Sequence, residues 1–303
     1  MKDLYLELRK IIQENYNGEL DSQTLDIITA ASLAIYIKYP EMVSRKLPII
    51  LNKISILAGN DKVSTFVLKK FPNYPWNKDF DSESAMVIRA LDSDKKPVDE
   101  EWVMAISTAD CINNSVNVVA RTAHELIHLL RFGGITESKR EIMIRDGISF
   151  TRFDKKKKKM VKDNFSFEEG VVEKYTKDTM THFYSFLQGE DLSFSPLLAS
   201  FAEKFNGDLK SGYVLETSLV EALCLNPKFE ELLFESFEVS DGYPSVVNYY
   251  NEVHRDHGAF SLLANGLDRV SASVDKGDIN TAMRIISSLK PHVKKLVESD
   301  KKI

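Results

Sequence analysis

His124-Glu125-Leu126-Ile127-His128 sets two imidazoles and a carboxylate in the order H-E-x-x-H. On a helix turning about 100° per residue, the two histidines fall about 40° apart on one face, one turn above each other. That spacing suits a zinc ion, which needs a third protein ligand and keeps its fourth position for water in a catalytic site. Glu125 projects near the same face but off the line of the imidazoles, so it is placed to meet a water on the metal and not the metal itself. The chemistry on offer is hydrolysis by a metal-activated water with Glu125 as general base. The bland alternative is two helix histidines beside a glutamate by accident, an infrequent event in a chain with six histidines.

A helix is needed to position these groups, and the flanking residues supply its pattern. Val116, Val119, Ala120, Ala123, Ile127 and Leu130 recur at three- and four-residue steps and build one apolar stripe. Asn114 or Ser115 could cap its start, and Gly133-Gly134 offer a usual stop. His124 and His128 lie along the edge of the stripe, half towards the core and half towards a cleft. A third histidine six residues on is absent, since positions 131 and 134 are Arg131 and Gly134, so the metzincin pattern is not met.

Downstream, Phe167-Glu168-Glu169-Gly170-Val171-Val172-Glu173 opens a second long helical pattern. Glu169 and Glu173 stand at i and i+4 and share a side with Val172, Thr176 and Met180. Carboxylates on a half-apolar face need a partner, and a cation would provide one. Two other readings of the same residues stand beside this. Ser166-Phe167-Glu168-Glu169 is a well-formed capping box, and Glu173 could pair with Lys177 on a wet surface.

The two motifs together resemble the gluzincin metallopeptidases, whose H-E-x-x-H helix is followed by a second helix carrying a glutamate as third ligand. Glu168-Glu169-Gly170-x-x-Glu173 looks like their second motif, with Glu168 where Asn is common. The resemblance covers two short stretches of the chain. It implies Glu169 as third zinc ligand, with Glu168 and Glu173 in reserve, and Glu173 as acceptor for the free N–H of a ligand histidine. It further implies that Glu125 takes a proton from the attacking water and passes it to the leaving amine. A Tyr or His from the C-terminal part would stabilise the tetrahedral oxyanion. Tyr250 and His254 are taken as that pair of candidates, with Tyr249, His257, Tyr175 and His182 as others. His254-x-x-His257 could form a second metal site, although two surface histidines near a helix end are the simpler reading.

Composition frames the function. At 303 residues, 43% hydrophobic and 28% charged, the chain can bury a substantial core. Cys111 and Cys224 are too few for a disulfide framework and lack metal-site spacing. The N-terminus has no signal-peptide pattern, and the apolar run from Ile27 to Ile37 is too short to span a bilayer. A cytoplasmic enzyme with no membrane partner is expected. Lys155 to Lys159 form a basic run, read as a solvated tip between strands; the net charge of −5 argues against a nucleic-acid partner.

The expected fold is mainly α with a small antiparallel β-sheet: a zincin-like core flanked by helical regions. Residues 1–80 read as an N-terminal helical region, with the Asp21-Ser22 region capping one helix. Residues 81–190 read as the core holding both motifs, and 191–303 as a C-terminal helical region completing the cleft. Phe71 to Trp76 is a turn-rich boundary. Ala85–Ala90 and Trp102–Ser107 look like strands joined at Asp92-Ser93-Asp94, and Ile142 to Phe150 like a hairpin around Asp146-Gly147. In a gluzincin the sheet edge pairs with an extended peptide. The expectation is therefore a Zn2+-dependent peptidase acting on a protein or peptide. The alternative is a catalytically silent, zinc-stabilised scaffold for a protein partner, which has little reason to keep Glu125. Nothing in the pattern sets an oligomeric state.

Overall fold

The computed structural model describes residues 1–72, 84–91, 97–138, 140–146, 149–157, 159–207, 209, 213–238 and 243–299. The chain divides into two compact units, Met1–Leu130 with Tyr175–Lys210, and Arg131–Lys174 with Ser211–Ile303. The first opens with α1 (Lys2–Asn15), α2 (Ser22–Lys38), α3 (Pro40–Leu51), β1 (Ile54–Gly59) and α4 (Val63–Lys70). β2 (Ala85–Leu91), β3 (Pro97–Ser107) and α5 (Ser115–Leu130) follow. Four strands then begin the second unit: β4 (Phe132–Glu137), β5 (Glu141–Asp146), β6 (Ser149–Asp154) and β7 (Lys159–Asp163). Helix α6 (Phe165–Leu187) starts in the second unit and continues, from Tyr175, as part of the first, which α7 (Pro196–Lys204) completes. The second unit closes with α8 (Val214–Leu223), α9 (Pro227–Glu238), α10 (Tyr243–His254), α11 (Ala259–Asp275) and α12 (Ile279–Ser299).

In the first unit α2 is the central helix, buried on every side from Ile27 to Ile35 as its apolar run requires. Asp21 caps it as expected, accepting the Thr24 N–H at 3.0 Å. Partial burial pushes the Asp21 carboxyl up, but the Thr24 hydroxyl and amide outweigh this and hold it below the usual range. The three-stranded sheet runs β1-β3-β2. β2 pairs antiparallel with β3, Val87 opposite Met104, whereas β1 lies parallel to β3, Ile54 opposite Trp102. This sheet is therefore mixed and not antiparallel, and the N-terminal region is not all helix. Ile54-Ser55-Ile56-Leu57-Ala58 is a short apolar run whose periodicity does not separate strand from helix. Pairing with a distant strand decides it. Val63 and Val67 of α4 pack on Ile88, Val103 and Ala105 of the sheet.

In the second unit β4 to β7 form an antiparallel meander. The expected hairpin is β5–β6, with Asp146 opposite Ser149; positions 147 and 148 lie outside the described residues. Lys155–Lys157 form the turn between β6 and β7, where Asp154 accepts the Lys156 and Lys157 amides at 2.9 Å. The helical part packs Leu223, Phe229, Leu233, Leu263, Leu267, Val270 and Leu289 into its core, while Leu262, with the same apolar character, is 50% exposed. Residues 73–76 of the turn-rich boundary and the 92–94 loop also lie outside the described residues. Among the described residues no helix is long and apolar enough to cross a membrane.

Candidate metal centre

α5 forms where the apolar pattern places it, and it is more deeply set than one stripe suggests. From Val118 to Leu130 only Arg121, Glu125 and His128 escape full burial, and Val116 at its start is half-buried. Asn114 precedes its first residue and accepts the Val118 N–H at 3.0 Å. The Ser115 hydroxyl instead donates to Ser200 of α7 at 3.1 Å. At the other end Lys46 of α3 donates from Nζ to the Leu130 carbonyl at 2.8 Å, a cation on an open helix C-terminus. Gly133-Gly134 do not stop the helix. They belong to β4, with a register shift between Phe132 and Gly134, the use of glycine expected at a bulge.

His124 is 2% exposed and His128 half-buried. Their Nε2 atoms lie 3.2 Å apart, with ring centroids 4.9 Å apart at 68°. Two ligand nitrogens about 2.05 Å from a tetrahedral zinc stand about 3.3 Å from each other, so this pair already spans one edge of such a site. The same separation lets one neutral ring donate to the other when no metal is present. His124, His128 and Glu169 each offer a ligand atom, and these atoms all lie within 4.8 Å of one another. Among the described residues this is the one group of three or more His, Cys, Asp or Glu side chains that could hold a metal ion. Two imidazoles and a carboxylate suit Zn2+ and other first-row divalent ions.

α6 shows why Glu169 is the carboxylate in that group. The helix begins at Phe165, two residues earlier than a capping box with Ser166 as N-cap would need, so Ser166 is inside it. Its first amides are held from α11: Asp268 accepts the Asn164 N–H at 3.1 Å and the Ser166 N–H at 2.8 Å. Glu168 is engaged elsewhere. Arg131, the residue after α5, grips it by two parallel bonds, Nε to Oε1 at 2.7 Å and Nη2 to Oε2 at 3.1 Å. Glu173 is 3% exposed, which removes the wet-surface pairing with Lys177 as an account of it. Gly170 lies under α8, where an added Cβ would stand 2.6 Å from the Glu216 carbonyl oxygen.

Glu125 is half-buried, and its Oε2 accepts the Val87 N–H of β2 at 2.9 Å. Ser84 turns its carbonyl to Ser107, continuing the β3 pairing, so Val87 turns its amide the opposite way, off the sheet edge. The edge strand of the first sheet thus runs beside the H-E-x-x-H helix.

Tyr250 and His254 sit in α10, packed within the second unit. The Tyr250 ring is fully buried against Phe229, Phe260 and His254, and its hydroxyl has no hydrogen-bond partner. Burial raises its pKa above the usual phenol value. A hydroxyl sealed in this way does not meet a substrate carbonyl. His254 directs Nδ1 to the Tyr250 carbonyl at 2.8 Å and Nε2 to the His292 carbonyl at 3.0 Å, which accounts for both nitrogens and leaves none aimed at a metal shared with His257. Of the other candidates, Tyr249 donates to Asn226 at 3.2 Å, Tyr175 is buried with its ring on Tyr39, and His182 and His257 are exposed.

Sequence reasoning missed Arg131, Asp268 and the Val87 amide. Arg131 alone leaves a signal, a single charge between the apolar Leu130 and Phe132. Comparison of the chain with protein families, curated proteins and solved structures finds no match.

Proposed function

We propose that this chain is a zinc-dependent metallopeptidase of the gluzincin type acting on a protein or peptide substrate. The observation that carries the proposal is the convergence of His124, His128 and Glu169 with Glu125 on the same helix as the two imidazoles. His124, His128 and Glu169 would hold the zinc, the two imidazoles facing each other by their Nε2 atoms. Zinc, when bound, polarises the scissile carbonyl and makes the attacking water acidic. Glu125 does the proton work: its carboxylate accepts the proton of that water and returns it to the leaving amine. The Val87 N–H on Oε2 fixes the side chain's rotamer for that task. Among the described residues β2 is the outer strand in the order β1-β3-β2, so an extended peptide can add beside it through outward groups other than the Val87 N–H that Glu125 holds. The oxyanion donor is not taken from Tyr250, whose hydroxyl is sealed. A cytoplasmic setting is part of the proposal, and Cys111 and Cys224 are not joined in a disulfide.

The test is elemental mass spectrometry of the purified protein together with hydrolysis of a peptide library. About one zinc per chain is expected, lost in His128→Ala and retained in Glu125→Gln. Hydrolysis is expected in the wild type and slower by at least about 10²-fold in Glu125→Gln. Zinc without cleavage of any peptide would leave the silent scaffold. No zinc in the wild type, even after zinc is supplied, would overturn the proposal.

A further inference from the structure

Arg131 and Glu168 occupy telling places. Arg131 comes three residues after His128, and Glu168 stands immediately before Glu169. Their side chains are 1% and 2% exposed, and they meet in the two-point fork that a guanidinium makes with a carboxylate. A buried ion pair is a poor stabiliser compared with well-packed apolar residues of the same volume, so its presence points to a directional role. Two parallel bonds fix orientation as well as distance, which a lysine making one contact does not do. With Glu168 pinned, the next residue leaves the helix about 100° further round. Adjacent carboxylates at the start of α6 thereby face different partners, Glu168 the Arg131 guanidinium and Glu169 the group it forms with His124 and His128.

We infer that Arg131 and Glu168 are positioning residues for the metal centre: their fork sets the rotation of the first turn of α6, keeps Glu168 out of the ligand set and presents Glu169 as the single anionic ligand. This rests on the reading of His124, His128 and Glu169 as a metal site. Neither residue touches substrate or metal; both act through Glu169.

The experiment compares the full-length wild type with Arg131→Lys, Glu168→Gln and the double variant. Zinc affinity is measured by competition with a chromophoric chelator, the visible d–d spectrum by Co2+ substitution, and folding by melting in EDTA. Each single variant is expected to weaken zinc binding by about 10- to 100-fold and to change the Co2+ spectrum, with a cooperative melt kept in EDTA. The double variant is expected to be no weaker than the weaker single, because the two residues act as one unit. Should Arg131→Lys fail to fold, the nearly isosteric Glu168→Gln carries the same test. Unchanged affinity and spectrum with only a lower melting temperature would overturn the inference and leave the metal site standing. Absence of zinc and cobalt binding in the wild type would overturn both.

Discussion

Gly170→Ala tests how tightly the helix that carries Glu169 is held. An alanine Cβ there would lie 2.6 Å from the Glu216 carbonyl oxygen, 2.7 Å from its carbonyl carbon and 3.1 Å from its Cβ. Ordinary contact begins near 3.4 Å, so α6 and α8 must part by about 0.8 Å. Two of the three obstructing atoms are backbone, which cannot rotate aside. Alanine gains about 0.8–1 kcal/mol over glycine in a helix interior. Overpacking against an unyielding neighbour costs about 1–3 kcal/mol or more, and here it falls at the upper end. The net is a loss of about 1–2 kcal/mol, or about 3–6 °C in Tm. Gly266→Ala in α11 is the control. Its Cβ would meet Leu289 Cδ2 at 2.9 Å and Cδ1 at 3.1 Å, the far end of a side chain that can turn away. With the same propensity gain it should stay within about 1 kcal/mol of wild type. Melting and urea unfolding are run in EDTA, so that metal binding does not mask the difference. A Gly170→Ala variant as stable as wild type, or more stable than Gly266→Ala, would refute the close crossing of α6 and α8.

Asp268→Ala strips the acceptor from the Asn164 and Ser166 amides and should cost about 0.5–2 kcal/mol; an unchanged melt would show those bonds to be idle. His292 titrates below its ordinary 6.5, first through burial, then through His254 and Lys295, with Asp256 pulling the other way. Between that lowered value and 6.5 the unfolded chain binds more protons than the folded one, so stability rises with pH across this window and is lost as pH falls through it. His292→Gln should therefore flatten the change in Tm as pH falls below 6.5, and an identical slope in variant and wild type would count against the assignment.

The helix of the H-E-x-x-H motif is the most legible part of the chain, for a physical reason. H-E-x-x-H combines residue types that are costly to bury without a partner with a spacing that only a helix converts into one face. Two strong signals therefore agreed at the same place. Glu169 was harder to read, because Ser166 and Glu169 also satisfy a local capping rule. Asp268, about a hundred residues away, takes the Ser166 amide to which a capping Glu169 would have reached back. β1 failed for a related reason: six residues are too few for periodicity to speak, and their state is set by a partner strand beyond α4 and β2. Tyr250 and His254 illustrate the opposite error. Their residue types suit an oxyanion donor, yet side-chain chemistry says nothing of exposure, and α10 turns both inward.

Three of the long-range contacts that sequence does not show act on the same short segment. Asp268 holds the amides of residues 164 and 166, Arg131 holds the side chain of 168, and α8 closes on residue 170. Each contact uses a different kind of interaction: a charge-assisted cap, a buried fork and a steric stop. Glu169 is the residue between the last two. A side chain on a turn fixed from three directions loses little further freedom when it takes up a ligand, so the ordering has been accomplished in folding rather than in binding. A glutamate serving only as a helix cap would gain nothing from such constraint, since capping tolerates several rotamers and even different residue types. A metal ligand gains directly, because bond lengths and angles at the ion leave tolerances of a few tenths of an ångström. The concentration of constraint around residue 169 is therefore an argument for a metal at this site that does not depend on the H-E-x-x-H motif.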